Sequence, residues 1–135
     1  MTILHFIEAA AIAGLIMGVI DGVWLGTVAK KFYYEKLGHL LRDKPDMVPA
    51  ILFYIIYIVG LTYLAIAPAL DAGSIGTAAF RGGVVGLLAY STYDLTNAST
   101  IKHWSCSVTI VDMIWGTVLS AVVATLTYLA MQLFI

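Results

Sequence analysis

The sequence predicts an all-α polytopic membrane protein, an antiparallel bundle of four transmembrane helices, and three observations lead to that fold class. Hydrophobic residues make up 61% of the 135 residues and charged residues only 11%, whereas soluble domains carry about 25% charged residues. The mean hydropathy is +0.97. The apolar residues fall into four long runs separated by polar connections, so we expect a single four-span domain covering 1–135.

The first span is predicted over residues 3–27, a run long enough to cross a hydrocarbon core of about 30 Å. Glycine recurs at every fourth position in the second half of this run. A stripe of small residues lets another helix approach closely. The stripe therefore predicts packing against a helix of the same chain or, as the alternative, a homodimer through Gly14, Gly18, Gly22 and Gly26.

Residues 28–47 interrupt the apolar sequence and contain five of the seven basic residues. Apolar and aromatic side chains recur here at the spacing of one helix face, which predicts a short amphipathic segment lying in the membrane interface. That face comprises Phe32, Tyr33, Leu37, Leu40 and Leu41.

The remaining spans are predicted over 48–69, 78–97 and 107–134, with a glycine-rich loop over 70–77 and a tight connection over 98–106. Six of the seven Lys and Arg residues fall in the first and third connections. The positive-inside rule then places 28–47 and 98–106 in the cytoplasm of a bacterial inner membrane, with both termini outside.

The first and last spans share a motif in which an aspartate precedes a tryptophan by three residues. Asp21 and Trp24 form one copy, and Asp112 and Trp115 form the other. Asp21 lies nine residues before the basic Lys30, and Asp112 lies ten residues after Lys102, so at 1.5 Å per residue both carboxylates lie about 15 Å from the cytoplasmic side. The arrangement is typical of an inverted repeat, although chance or shared interface chemistry would also produce so short a match.

A third carboxylate, Asp94, belongs to a stripe of polar residues along one face of the third span. A short turn joins this span to the fourth, so the stripe can face the fourth span. Charged side chains at membrane depth are costly and usually functional. If the three aspartates meet, one or two of them hold a proton or a cation binds among them, because like charges repel strongly at low dielectric. The predicted pocket, open to the cytoplasm, consists of Asp21, Asp94, Asp112, Tyr90, Tyr93, Asn97, Trp24 and Trp115, with His103 at its mouth.

The structural alternative is that each aspartate bonds to its own neighbours and only fixes helix packing. On the outer side, Glu8 and Arg81 are predicted to form a structural ion pair. No spacing of His, Cys and carboxylates predicts a metal site, no motif assigns a cofactor, and the net charge of −1 gives no indication of nucleic acid as a partner.

Three segments, YDLTN at 93–97, VTIVDMIWGT at 108–117 and VIDGVWLGTVAKKFY at 19–33, together with Trp104, resemble a family of small bacterial four-helix membrane proteins of unknown function. The resemblance extends over nearly the whole chain. It implies four spans and brings no activity, substrate, cofactor or catalytic residue, so the site rests on the residues themselves.

Three functions remain open at this point. The favoured hypothesis is a protein that binds or transports a proton, a cation or a small molecule through the carboxylate cluster. A membrane-embedded enzyme, or an enzyme partner, acting on a lipid or isoprenoid is the first alternative, because a protonated aspartate can serve as a general acid. A purely structural assembly subunit is the second. In every case the lipid bilayer is the surrounding partner.

Overall fold

A computed structural model describes all 135 residues and contains five helices and no strands. We number them α1 (Ile3–Val28), α2 (Lys30–Leu37), α3 (Met47–Ala72), α4 (Ile75–Thr100) and α5 (Cys106–Met131). The all-helical prediction is confirmed. Of the four predicted spans, α1, α3 and α5 are long and apolar enough to cross a membrane.

Each of the long helices begins at a residue whose side-chain oxygen accepts a backbone N–H of the first turn. The residues are Thr2 for α1, Asp46 for α3, Ser74 for α4 and Ser105 for α5. Such caps satisfy amide groups that have no partner within the helix. The local sequence therefore sets where the helices start.

The connection between α3 and α4 is much shorter than the predicted loop over 70–77. Helix α3 continues to Ala72, Gly73 adopts a left-handed conformation with φ of 61°, and Ser74 caps the next helix. Glycine adopts that conformation without steric cost. Two residues thus reverse the chain, and α4 gains a turn at its start relative to the prediction.

Two of the helices contain a π-helical turn, at Trp24–Val28 in α1 and at Thr62–Ile66 in α3. Such turns insert one extra residue into an α-helix and are frequent at functional sites. The turn in α1 begins at Trp24, three residues after Asp21. It leads into α2 through the buried Ala29.

The tightest helix contact joins α4 and α5. A Cβ atom at Gly82 would lie 2.7 Å from the carbonyl oxygen of Ser120, and one at Gly86 would collide with the carbonyl of Gly116. Glycine is therefore required where these two backbones approach each other. The stripe predicted in α1 behaves differently, since only Gly14 contacts a neighbour (Ile58) and the positions of Gly18, Gly22 and Gly26 face open space.

The core lies mainly between α1, α3 and α5, and most of its side chains are small or medium-sized and apolar. Outside it, many large apolar side chains are exposed, among them Leu15, Ile56 and Phe80, each at least 70% exposed. An apolar exterior of this kind suits contact with lipid. The core includes Ala9, Ala13, Met17, Leu61, Ala65, Ala69, Leu119 and Val123.

Candidate functional site

Asp21 is a buried carboxylate whose two oxygens both accept hydrogen bonds. The indole N–H of Trp115 donates to Oδ1 at 3.1 Å, and the hydroxyl of Tyr54 donates to Oδ2. A buried carboxylate needs such donors because it has lost its contact with water. Asp21 therefore joins α1 to α3 and α5 through a satisfied polar contact.

The two tryptophans of the repeated motif stack on each other. The ring centroids of Trp24 and Trp115 are 4.2 Å apart, and the ring planes differ by 10°. Trp24 donates to the hydroxyl of Tyr33 at 3.4 Å, and Tyr33 donates to Oδ1 of Asp112 at 2.8 Å. Each copy of the motif thus reaches the aspartate of the other copy, directly in one case and through Tyr33 in the other.

Tyr33 belongs to the amphipathic helix α2 and connects this helix to the site. Burial raises the pKa of the Tyr33 hydroxyl above its ordinary value, and the neighbouring Asp112 raises this pKa further. The phenol therefore stays protonated at physiological pH. It remains a hydrogen-bond donor to Asp112 throughout that range.

Asp94 differs from Asp21 in having no hydrogen-bond donor. Its side chain is completely buried, and neither carboxyl oxygen accepts a hydrogen bond from a donor group. The carboxyl of Asp112 is its neighbouring acidic group. Two ionised carboxylates in such a position would repel each other strongly. One shared proton removes the repulsion, because the protonated acid then donates to the carboxylate.

Tyr90 lies near both Asp21 and Asp112. Its ring packs against the backbone of Gly116, where any side chain would collide with it. The ring of Tyr57 meets that of Tyr90 edge-on at 6.4 Å. The Tyr57 hydroxyl is hydrogen-bonded to Ser120, so the pair of Tyr57 and Tyr90 rings is held against α5.

Two cavities flank Asp112. One, of about 320 Å³, lies between α3 and α4 and is otherwise lined by Phe53, Ala89, Tyr90 and Tyr93. The other, of about 540 Å³, lies beneath α2 and shares Tyr93 and Asp112 with the first. Apart from Asp112, the first cavity has a mainly apolar lining. A carboxylate at the edge of apolar space suits a ligand that has a cationic group and an apolar body.

Some predicted site residues lie elsewhere. His103 is exposed in the turn before α5, where its φ is 60°, so it does not reach the carboxylates. Asn97 is half-buried one helical turn beyond Tyr93. No group of three His, Cys, Asp or Glu side chains is arranged to hold a metal ion.

The predicted ion pair between Glu8 and Arg81 does not form. The Arg81 guanidinium instead donates to the backbone carbonyl of Leu64 at 3.3 Å, and Oε2 of Glu8 is buried without a hydrogen-bond partner. The reason is the helix arrangement. Helix α1 packs against α5 and α3, whereas Arg81 lies on α4, which packs against α5 and the π-helical part of α3.

Sequence reasoning missed Tyr33 and Tyr54, which donate to Asp112 and Asp21. The spacing predicts Tyr33 on the amphipathic face of α2, and no motif in the sequence points to Tyr54. Counting residues from the helix ends identifies Tyr54. It lies seven residues after the start of α3, and Asp21 lies seven residues before the end of α1. In antiparallel helices these positions are level.

The fold and the site together define a class, namely an all-helical membrane protein with buried carboxylates. Residues 6–129 match the family described as "Predicted membrane protein (DUF2177)". The chain belongs to this family, whose function is unknown, and the resemblance noted in the sequence is confirmed. No curated protein and no solved structure matches the chain.

Proposed function

We propose that this protein binds, and moves within or across the membrane, a small molecule that has a cationic group and an apolar body. In this proposal Asp94 and Asp112 share one proton when the site is empty. The cationic group replaces this proton, and the released proton passes to water. The observation that carries the proposal is Asp94, a completely buried carboxyl without any donor beside a second carboxyl.

The surroundings of the pair support a ligand rather than a purely structural role. Asp21 has both oxygens occupied by donors of its own chain, as expected of a carboxylate that only fixes packing. Asp112 accepts from Tyr33 at one oxygen and borders both cavities. A carboxylate that has a free oxygen and borders a cavity is available to a ligand.

The proposal includes four membrane crossings, with α4 as the fourth. Helix α4 has 26 residues, as many as each of the three apolar spans, and its length of about 39 Å exceeds the hydrocarbon thickness. Gly82, Gly86 and Asp94 of this helix are buried in the structure, which keeps Asp94 away from lipid. The distribution of basic residues supports an inner-membrane orientation with 28–47 and 98–106 in the cytoplasm and both termini outside.

A second candidate is an enzyme that acts on a lipid or isoprenoid. A carboxyl that holds a proton beside apolar space is also the arrangement expected of a general acid. Asp112 would then donate to the substrate, and Tyr33 would orient it. Turnover of a lipid by the purified protein would favour this candidate over reversible binding.

The test is a proton-release measurement with dodecyltrimethylammonium, an amphipathic cation that has no titratable proton. It is added below its micelle concentration to detergent-purified protein in weak buffer near neutral pH. We expect release of about one proton per bound cation, because one shared proton is replaced. Asp94→Asn and Asp112→Asn should release none, whereas the exposed Asp43→Asn should behave as wild type. Binding without proton release, or equal release by all variants, would contradict the proposal.

A further inference from the structure

We propose that the cavity beneath α2 binds the headgroup of an ethanolamine phospholipid, with the ammonium group at Asp112 and the phosphate at Lys30. The inference rests on the proposed function in one respect, since it uses Asp112 as the acceptor of a cation. It goes further by naming the ligand and a second binding residue.

The first observation is that two opposite charges line one cavity without neutralising each other. Lys30 and Asp112 both border the space of about 540 Å³, yet they form no ion pair. Lys30 is exposed, and neither its ammonium group nor the Asp112 carboxylate has a partner of opposite charge within the chain. A dipolar ligand in this cavity can place its cationic end at Asp112 and its anionic end at Lys30.

The second observation is the nature and depth of the walls. Apart from Lys30, Asp112 and three tyrosines, the cavity is lined by Leu25, Leu37, Leu41, Pro45 and Val108. The cavity lies under an amphipathic helix, which is the kind of segment that rests at the boundary of headgroups and acyl chains. A ligand at this depth with apolar surroundings has the architecture of a membrane lipid.

The choice of ethanolamine follows from hydrogen bonding. Tyr33 occupies Oδ1 of Asp112, so the second oxygen can accept from a primary ammonium, which has three N–H donors. A choline group has no N–H to donate. A glycerol headgroup has no cation and leaves the phosphate charge unbalanced near two carboxyl groups. Lysine is a common partner of phosphate oxygens.

The test compares short-chain phospholipids on the purified full-length protein. Dioctanoyl lipids with ethanolamine, choline or glycerol headgroups are titrated, and dissociation constants are measured by calorimetry at pH 7. We expect the ethanolamine lipid to bind at least about tenfold more tightly than the other two, because a hydrogen bond to a charged group is worth roughly that factor.

The matched variants are Lys30→Gln and Lys31→Gln. The neighbouring Lys31 points to solvent with 86% exposure and pairs with Glu35, so its substitution should leave the affinity unchanged. Lys30→Gln should weaken ethanolamine-lipid binding about tenfold or more. It should retain proton release with dodecyltrimethylammonium, since Lys30 does not belong to the carboxyl pair.

Equal affinities for the ethanolamine and choline lipids would overturn the assignment of the headgroup. A preference for the glycerol lipid would indicate a site for anionic lipids and would overturn it as well. The two proposals fail separately. If the ethanolamine lipid binds through Lys30 but neither ligand releases a proton, the proton exchange is wrong. If dodecyltrimethylammonium releases a proton but Lys30→Gln changes no lipid affinity, the headgroup site is wrong.

Discussion

At the scale of single residues, the three aspartates differ in the groups that surround their carboxyl oxygens. We use this difference to distinguish an aspartate that fixes helix packing from the pair proposed to exchange a proton for a ligand. Asp21 receives one donor at each oxygen. Asp94 receives none, and Asp112 receives the Tyr33 hydroxyl. The fold therefore satisfies both oxygens of Asp21, whereas in our proposal the Asp94 and Asp112 pair is completed by a proton or a ligand.

This difference predicts that the same substitution has effects of different size on the free energy of unfolding at Asp21 and at Asp94. Asp21→Asn should lower the free energy of unfolding by about 1–3 kcal/mol, because the new amide N–H₂ faces either the Tyr54 hydroxyl or the Trp115 N–H and leaves one donor unpaired. Asp94→Asn should change it by at most about 1 kcal/mol, since the amide can donate to Asp112 as the protonated acid does.

The measurement is reversible denaturation in mixed micelles, with the exposed Asp43→Asn as the control. A larger loss of stability in Asp94→Asn than in Asp21→Asn would contradict this division of roles. It would mean that Asp94, despite its bare oxygens, is the carboxyl that fixes helix packing.

At the scale of elements, the α4 and α5 pair depends on glycine at the closest approach. Gly86→Ala would place a methyl group against the carbonyl of Gly116, and overpacking of this kind costs about 1–3 kcal/mol. Gly22→Ala faces open space and should be neutral or stabilising by about 0.5–1 kcal/mol, because alanine favours the helix. Thermal unfolding of the two purified variants checks this. A destabilised Gly22→Ala would instead point to a contact on the outside of α1, as in the predicted homodimer.

Helix periodicity in the sequence predicts that the elements exist, but it does not predict their partners. The apolar runs predict the ends of α1, α3 and α5 to within a few residues. The α1 stripe of glycines was expected to pack, yet the required glycines lie at Gly82, Gly86 and Gly116. Spacing along one helix says which residues share a face and leaves open which neighbour that face meets.

The site was predictable to the extent that it rests on rare residue types. Aspartate within an apolar run is conspicuous because it is costly, so Asp21, Asp94 and Asp112 could be selected from the sequence alone. Tyr33 could not be separated from ordinary interface tyrosines, and Tyr54 could be found only by comparing its depth in α3 with that of Asp21 in α1. Their role depends on which side chains the turn after α1 and the position of α3 bring near them, and this is a tertiary property.

At the scale of the whole molecule, the proposed orientation is testable with the single cysteine. Cys106 is exposed at the start of α5, next to a connection that we propose to be cytoplasmic. A membrane-impermeant maleimide should label it in inside-out vesicles and leave it unlabelled in intact spheroplasts. In the double variant Cys106→Ser with Ala72→Cys, the maleimide should label the new cysteine in spheroplasts and not in inside-out vesicles. The reason is that Ala72 is exposed at the other end of the bundle. Labelling of Cys106 in spheroplasts would reverse the orientation.

The stacked tryptophans have an optical consequence. Two indoles that lie almost parallel at 4.2 Å have coupled ultraviolet transitions, so a small change in their separation alters near-ultraviolet circular dichroism directly. The stack is connected to Asp21 through Trp115 and to Asp112 through Trp24 and Tyr33. The third tryptophan, Trp104, lies apart from the stack and pairs with Tyr93 and Thr109. Occupation of the carboxyl site can therefore be followed spectroscopically without any attached dye.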